Sequence, residues 1–191
     1  MEPERMELQS DQSLMAAVRE GDVGQLGVLF ERHSGHLYNY LFRLTGNRHL
    51  SEDLVQEVFV RMLKYRHTYR GESQFTTWMF QIARNARVDH FRRSPREETS
   101  LEDDKGHHVS LLPTPVQRAE AEEEMRILQD ALDRLAPEKR ELLLLRGFEG
   151  MKFEEIAKVM SCSVNTIKGR ALRAIRELRV LVQDLTGERA S

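Results

Sequence analysis

The amino-acid sequence predicts an all-α protein, made of two small helical domains joined by a flexible linker. Apolar residues recur at intervals of three and four along most of the chain, which is the spacing of one buried helix face. Glycine and proline are scarce, at 11 and 5 of 191 residues, whereas strand-rich folds need many turns. Residues 94–117 lack the periodicity, and they separate domains predicted at 1–93 and 118–191.

The first helices of the N-terminal domain are predicted from apolar spacing and from glycines. Apolar residues on either side of Gly21 and Gly24 indicate two short helices. A further helix is expected from about Leu29 to Leu44. Ser51, which precedes two acidic residues, is typical of the N-cap of the next helix.

The helix after Ser51 has one apolar and one polar face. The apolar face is formed by Leu54, Val55, Val58, Phe59 and Met62. The opposite face carries Gln56, Glu57, Arg61 and Lys64. Residues 70–73 are predicted to form a loop, and Phe75–Arg93 a second amphipathic helix that Ser94-Pro95 terminates.

The aperiodic segment 94–117 contains three prolines and several acidic residues, and is therefore predicted to be a flexible acidic linker. Helical spacing resumes near Pro115 and continues to Leu135. Pro137 then opens a helix that ends at Gly147, since proline is favoured in the first helical turn.

The C-terminal segment predicts a helix-turn-helix. A short helix at Phe153–Met160 is followed by the three-residue turn 161–163 and by a longer helix from Val164 to about Leu181. Ala157 is small where the two helices must approach closely. The first half of the second helix, which enters the major groove in such motifs, presents Asn165, Lys168, Gly169, Arg170 and Arg173. A helical hairpin with a solvated basic face is the alternative.

Charge is distributed unevenly along the chain. The net charge of −2 argues against nucleic-acid binding, but residues 61–93 hold eight basic residues against two acidic ones, and 168–179 hold five against one. Cys162 is the only cysteine, so no internal disulfide and no cysteine metal site is expected. With neither a signal region nor a membrane-length apolar stretch, a cytoplasmic location is expected. No catalytic constellation and no cofactor motif is present, so the sequence does not predict an enzyme.

Several motifs, in order along the chain, resemble bacterial sigma factors of the sigma-70 type. Residues 53–59 resemble region 2.2, and residues 70–89 resemble regions 2.3 and 2.4. Residues 135–150 resemble region 4.1, and residues 153–176 resemble region 4.2. The short length is similar to that of the extracytoplasmic-function (ECF) class. The resemblance implies a factor that directs RNA polymerase to promoters and nucleates DNA melting under the control of an anti-sigma factor.

The resemblance also implies a role for individual residues. The residues expected to contact the β′ clamp helices of core RNA polymerase are Asp53, Gln56, Glu57 and Arg61. The β flap is the second expected contact on the polymerase. The −10 promoter strand is expected to meet Gly71, Glu72, Ser73, Gln74, Arg84, Asn85, Val88 and Arg92. The −35 duplex is expected to meet Asn165, Thr166, Lys168, Gly169, Arg170 and Arg173.

Two questions stay open at the level of sequence. Trp78 could stack on DNA, but its position on an amphipathic helix favours the core about two to one. The rival functions are a DNA-binding regulator that never joins polymerase, which leaves the motifs at 53–59 and 70–89 unexplained, and a helical adaptor protein. Co-purification with core polymerase distinguishes a sigma factor from the DNA-binding regulator. DNA binding that weakens with salt distinguishes a sigma factor from the adaptor protein.

Overall fold

The computed structural model describes residues 9–71, 74–93 and 115–187, with side chains from residue 123 onward in the last range. All regular structure in these ranges is helical, which confirms the predicted all-α class. The chain divides into two compact units, Met1–Leu101 and Glu102–Ser191. Most of the predicted linker lies outside the described residues, so its flexibility stays a prediction. Its last three residues, 115–117, form the first turn of a helix.

The described part of the N-terminal unit is a bundle of four α-helices. They are α1 (Asp11–Glu20), α2 (Gln25–Thr45), α3 (Arg48–Lys64) and α4 (Phe75–Arg93), with a short 3-10 turn at Arg66–Thr68. Helix α3 packs against both α2 and α4, and α1 packs against α2. The predicted bounds of α4 are confirmed.

Two predictions about this unit are wrong. The short helix expected after Gly24 and the helix expected from Leu29 are one continuous helix, α2. Ser51 is not an N-cap, because α3 begins one turn earlier and the side chain of Asn47 accepts the backbone N–H of Leu50 at 2.9 Å. Ser51 is instead fully buried, and its hydroxyl donates to the Asn47 carbonyl at 2.7 Å. Asparagine is as good an N-cap as serine, and Asn47, which comes first in the chain, caps α3.

The core of the N-terminal unit is apolar and includes the face predicted for α3. Its fully buried members include Leu14, Met15, Leu29, Leu37, Leu41, Val58, Met62, Phe75 and Met79. The ring of Tyr40 on α2 meets that of Phe80 on α4 edge to face, with centroids 5.0 Å apart. Burial of each such side chain contributes about 1.5–3 kcal/mol before the loss of chain entropy, so the apolar core holds the four helices together.

The C-terminal unit is arranged around its longest helix. The described helices are α5 (Pro115–Asp133), α6 (Pro137–Gly147), α7 (Phe153–Val159) and α8 (Val164–Thr186). Helix α8 packs against each of the other three. It runs five residues beyond the predicted end at Leu181, and along this extension Val182 and Leu185 are half-buried. No helix among the residues described here combines the length and apolarity needed to cross a membrane.

Candidate nucleic-acid interface

A network of charged side chains joins the C-terminal part of α3 to the C-terminal part of α4. The Arg61 guanidinium donates to Glu57 on its own helix at 2.7 Å and to Asp89 on α4 at 2.8 Å. Arg92 donates to the second oxygen of Asp89 at 3.1 Å. The hydrogen bond from Arg61, aided by the nearby positive charges, lowers the pKa of Asp89 against the opposing effect of burial. Burial acts to lower the pKa of Arg61, but the bonds to both carboxylates outweigh it and raise that pKa.

A cleft of about 360 Å³ opens beside this network, between α3 and α4. It is lined by Arg61, Tyr65, Ile82, Asn85, Val88 and Asp89. Tyr65 is 44% exposed and Val88 is 41% exposed, so two apolar surfaces flank the exposed amide of Asn85. Such a combination can stack on the face of a planar base while the amide both donates to and accepts from its edge.

The residues predicted to meet the −10 strand fall into three groups. Asn85, Val88 and Arg92 are exposed along one stripe of α4, and Arg84 beside them is half-buried. Gly71 has a positive φ of 72°, a conformation that suits glycine, and Gln74 is exposed just before α4. Glu72 and Ser73 lie outside the described residues. The sequence reasoning missed Tyr65, whose only signal was its position one turn after Arg61.

Trp78 is half-buried near the start of α4. Its ring lies 5.2 Å from the ring of Tyr69, which is itself buried. Trp78 therefore packs on the unit's interior with one part of its surface exposed.

The residues predicted to contact core polymerase differ in how far they are exposed to solvent. Asp53 and Gln56 are exposed on the outer face of α3. Glu57 is half-buried, and Arg61, with only 14% of its side chain exposed, holds α3 to α4. The same outer face displays Val60, 61% exposed, which the sequence reasoning did not single out.

The helix-turn-helix is built as the sequence predicts. Ser161 adopts a left-handed conformation with φ of 52°, and the N–H of Cys162 donates back to the carbonyl of Ala157 at 3.0 Å, which ends α7. Ser163 then caps α8, because its hydroxyl oxygen accepts the backbone N–H of Thr166 at 3.1 Å. Ala157 is 6% exposed, as expected for a small residue between the two helices.

Most of the residues predicted for the −35 duplex point away from the core. Asn165, Thr166, Lys168, Gly169 and Arg173 are all exposed on α8. A Cβ placed on Gly169 would meet no atom within 4 Å, so this part of the helix surface is open to an incoming partner. Buried residues of the same helix, such as Ile167, Ala171 and Ala174, occupy the opposite face.

Two ion pairs attach α8 to the start of α6. Arg170 lies 3.3 Å from Glu138, and Lys139 pairs with Glu177. Among the residues that the structure describes, Lys168, Arg173 and Arg176 pair with no carboxylate. The outward face of α8 therefore carries unneutralised positive charge. In the described part of the chain, no cluster of three or more His, Cys, Asp or Glu side chains could hold a metal ion.

Two family models match the chain, one within each of the two units. Residues 29–97 match Sigma-70 region 2, and residues 125–178 match Sigma-70, region 4. The ECF RNA polymerase sigma-E factor of Haemophilus influenzae is 31% identical over 184 residues, which cover 92% of this chain and 97% of that protein. The RNA polymerase sigma-H factor of Pseudomonas aeruginosa is 28% identical over 94% of this chain and 97% of its own length.

Solved structures show the same fold. The sigma factor RpoE of Bartonella quintana, solved in complex with the anti-sigma factor NepR, has a TM-score of 0.65 at 25% identity and covers 82% of this chain and 96% of its own. The structure of CnrH in complex with the cytosolic domain of CnrY has a TM-score of 0.69 at 23% identity, over 92% of this chain and 99% of that one. Sigma factors are non-catalytic subunits of RNA polymerase that initiate transcription. The chain belongs to the ECF group of the sigma-70 family of these factors.

Proposed function

We propose that this sigma factor reads promoters with two separate surfaces, the α4 stripe for the −10 strand and the outward face of α8 for the −35 duplex. The observation that carries the proposal is that each surface is exposed, while the chemistry of the two differs. One is a cleft with an amide and apolar walls, and the other is an open basic helix face.

The cleft suits a single unstacked base. Opening one base-pair step costs about 1.4 kcal/mol in stacking, and a base stacked on protein regains roughly 1–3 kcal/mol. Asn85 would read the base edge while Tyr65 and Val88 contact its faces. Holding one or two bases therefore nucleates melting but cannot sustain a full bubble, so the polymerase must supply the rest.

The basic face suits duplex DNA. Lys168, Arg173 and Arg176 are exposed, and each can pair with phosphate or with guanine in the major groove. Gly169 leaves room for the groove wall. Binding through these groups requires the release of counterions, so the affinity for the −35 duplex should fall steeply with salt.

The outer face of α3 is proposed to bind core polymerase at the β′ clamp helices. Asp53, Gln56 and Val60 lie along one exposed stripe of α3 and combine polar and apolar surface, as protein interfaces do. Glu57 and Arg61 support this face from below, because Arg61 pairs both with Glu57 on its own helix and with Asp89 on α4, and the second pair fixes α3 on α4. The β flap remains a proposed second contact, and no residue is assigned to it.

An anti-sigma factor is proposed to regulate the chain, on the ground that RpoE of Bartonella quintana was solved with one. A protein that co-purifies with this chain in equimolar amount should displace the chain from core polymerase. It should also abolish the transcription that depends on the chain. A bound protein that leaves transcription unchanged would not be such a regulator.

Run-off transcription tests the proposed function. Core RNA polymerase is mixed with the full chain on a fragmented genomic library, and core polymerase alone is the control. The proposal predicts discrete transcripts that begin downstream of two common sequence elements and that disappear without the chain. Transcripts that begin at sites without one of these upstream elements would contradict the proposal.

A further inference from the structure

Two large apolar side chains, Leu172 and Ile175, are exposed on the basic face of α8. Leu172 is 53% exposed. Lys168 lies one turn before it and Arg176 one turn after, and both are exposed on the same side of the helix. Gly169 lies three residues earlier on that side and carries no side chain that could cover it. Leu172 thus has a basic residue one turn away on either side, whereas Ile175, 46% exposed, lies one turn after the buried Ala171 and therefore at the edge of this face.

The core does not require a leucine at this position. Ile167, Ala171 and Ala174 supply the apolar contacts of α8, and they lie on the opposite face. A single exposed leucine on a soluble surface needs no explanation by its exposure alone. Its position does need one, because the side chains around it are arranged for a polyanion.

We propose that Leu172 contacts the C5-methyl group of a thymine in the upstream promoter duplex, and so helps to set the base preference of this factor. The inference rests on the proposed entry of α8 into the major groove. On that edge of the DNA, thymine presents a methyl group, and contact with an apolar side chain is how proteins read it.

The dimensions of the helix agree with this contact. Leu172 lies seven residues after Asn165, or about 10 Å along the axis at 1.5 Å per residue. The major groove is about 12 Å wide, so both side chains can face base edges at once. Val180 is comparably exposed, at 56%, but lies about 22 Å from Asn165 at the same rise, beyond the width of the groove.

A protein partner is the competing occupant of this surface. The charge around Leu172 argues against it, because the centre of a protein interface is depleted in charged residues. In contrast, Lys168, Arg173 and Arg176 supply the positive charge that phosphates attract.

Replacement of thymine by deoxyuridine tests the proposal, since it removes only the methyl group. A promoter recovered by run-off transcription is bound by the holoenzyme, with each thymine of its upstream element replaced in turn. At one position, the wild-type holoenzyme should lose about fourfold in affinity, the value of one buried methyl group. Leu172→Ala should bind the thymine promoter about fivefold more weakly and should lose little more on the deoxyuridine promoter. Val180→Ala is the matched control and should behave as wild type.

Several outcomes would overturn the inference. These are an upstream element without thymine, equal losses on deoxyuridine for the wild type and Leu172→Ala, and a Leu172→Ala defect that lies in binding core polymerase. Arg173→Ala separates this failure from failure of the proposed function. If Arg173→Ala weakens promoter binding while Leu172→Ala shows no coupling, only the thymine contact is wrong. If neither variant affects promoter binding, α8 does not read the duplex at all.

Discussion

The outward surfaces of α4 and α8 use their cations in opposite ways. On α4, Asp89 pairs both with Arg92 of the same helix and with Arg61 of α3, so part of the positive charge is neutralised within the unit. On α8, Lys168 and Arg173 pair with no carboxylate among the described residues. A similar density of basic residues in the sequence therefore produces two different surfaces.

The difference follows from what each surface would bind. A single base offers a flat apolar face and a polar edge, and an exposed amide between apolar walls matches both. A duplex offers phosphates in regular array, and free cations match these. The comparison predicts that changes at the two surfaces affect separate steps of initiation.

The largest effect is expected from Asn85→Ala. Loss of the amide should slow open-complex formation about 30-fold, since a well-placed base contact is worth about 1–3 kcal/mol. Closed-complex affinity on duplex DNA should change little. Permanganate reactivity of melted thymines measures the first and filter binding the second. Asn39→Ala removes an amide that is also exposed, from α2, and is the control. A fall in both quantities alike for Asn85→Ala would break the comparison.

The next largest effect is expected from Arg173→Ala. It should weaken closed-complex binding about tenfold and relax the base preference of the upstream element, because a bidentate contact between arginine and guanine is worth about 1–3 kcal/mol. The rate of melting from the closed complex should be unchanged. Arg179→Ala, which changes an exposed arginine farther along α8, should have a much smaller effect. A slower melting step in Arg173→Ala would contradict the assignment.

A smaller effect on stability is expected from Asp89→Asn. Loss of the charged bonds to Arg61 should lower the free energy of unfolding by about 1 kcal/mol near pH 7, because Asp89 is partly exposed to solvent. Because the folded state lowers the pKa of Asp89, this contribution is full above the ordinary value of 3.8 and disappears as the pH falls through the lower folded value. Urea unfolding followed by the fluorescence of Trp78, the single tryptophan, reports on this unit.

For that measurement, Asp53→Asn removes an exposed carboxylate from α3 and should leave the unfolding free energy within about 0.5 kcal/mol of wild type. The gap between wild type and Asp89→Asn should narrow below about pH 4. A gap of constant size down to pH 3 would show that the ion pair does not stabilise the unit.

The smallest effect is expected from Glu138→Gln. Its carboxylate holds Arg170 at 3.3 Å on an exposed surface, where such pairs are worth about 0–1 kcal/mol. Release of Arg170 toward phosphate should raise closed-complex affinity about twofold at low salt, and the gain should vanish at high salt. The same change of charge at exposed Glu124 on α5 is the control. Weaker binding by Glu138→Gln would mean that Glu138 positions Arg170 for DNA.

Helices with strong periodicity and terminal signals could be predicted well from sequence. The bounds of α4 and α6 follow from proline and from amphipathic spacing, and the turn at 161–163 follows from the motif around it. The start of α3 was missed because Asn47 and Ser51 are both competent caps, and only tertiary burial of Ser51 decides between them.

The candidate site was less predictable, because exposure and pairing depend on neighbouring helices. Spacing placed Arg61 on the polar face of α3, but only the position of Asp89 on α4 makes it an internal link. Tyr65 enters the cleft through the packing of α3 on α4, which the sequence pattern does not specify. In the sequence, Leu172 cannot be told apart from the apolar residues of the core. The structure shows that the buried residues of α8 lie on another face and that Leu172 is exposed.

Selection from a randomised promoter library tests the division of labour most directly. Run-off transcripts are collected with core polymerase and the wild-type chain, Asn85→Ala or Arg173→Ala, and the preferred sequences are compared. The account predicts two elements for wild type, with Asn85→Ala relaxing only the downstream element and Arg173→Ala only the upstream one. Relaxation of the same element by both variants would contradict it.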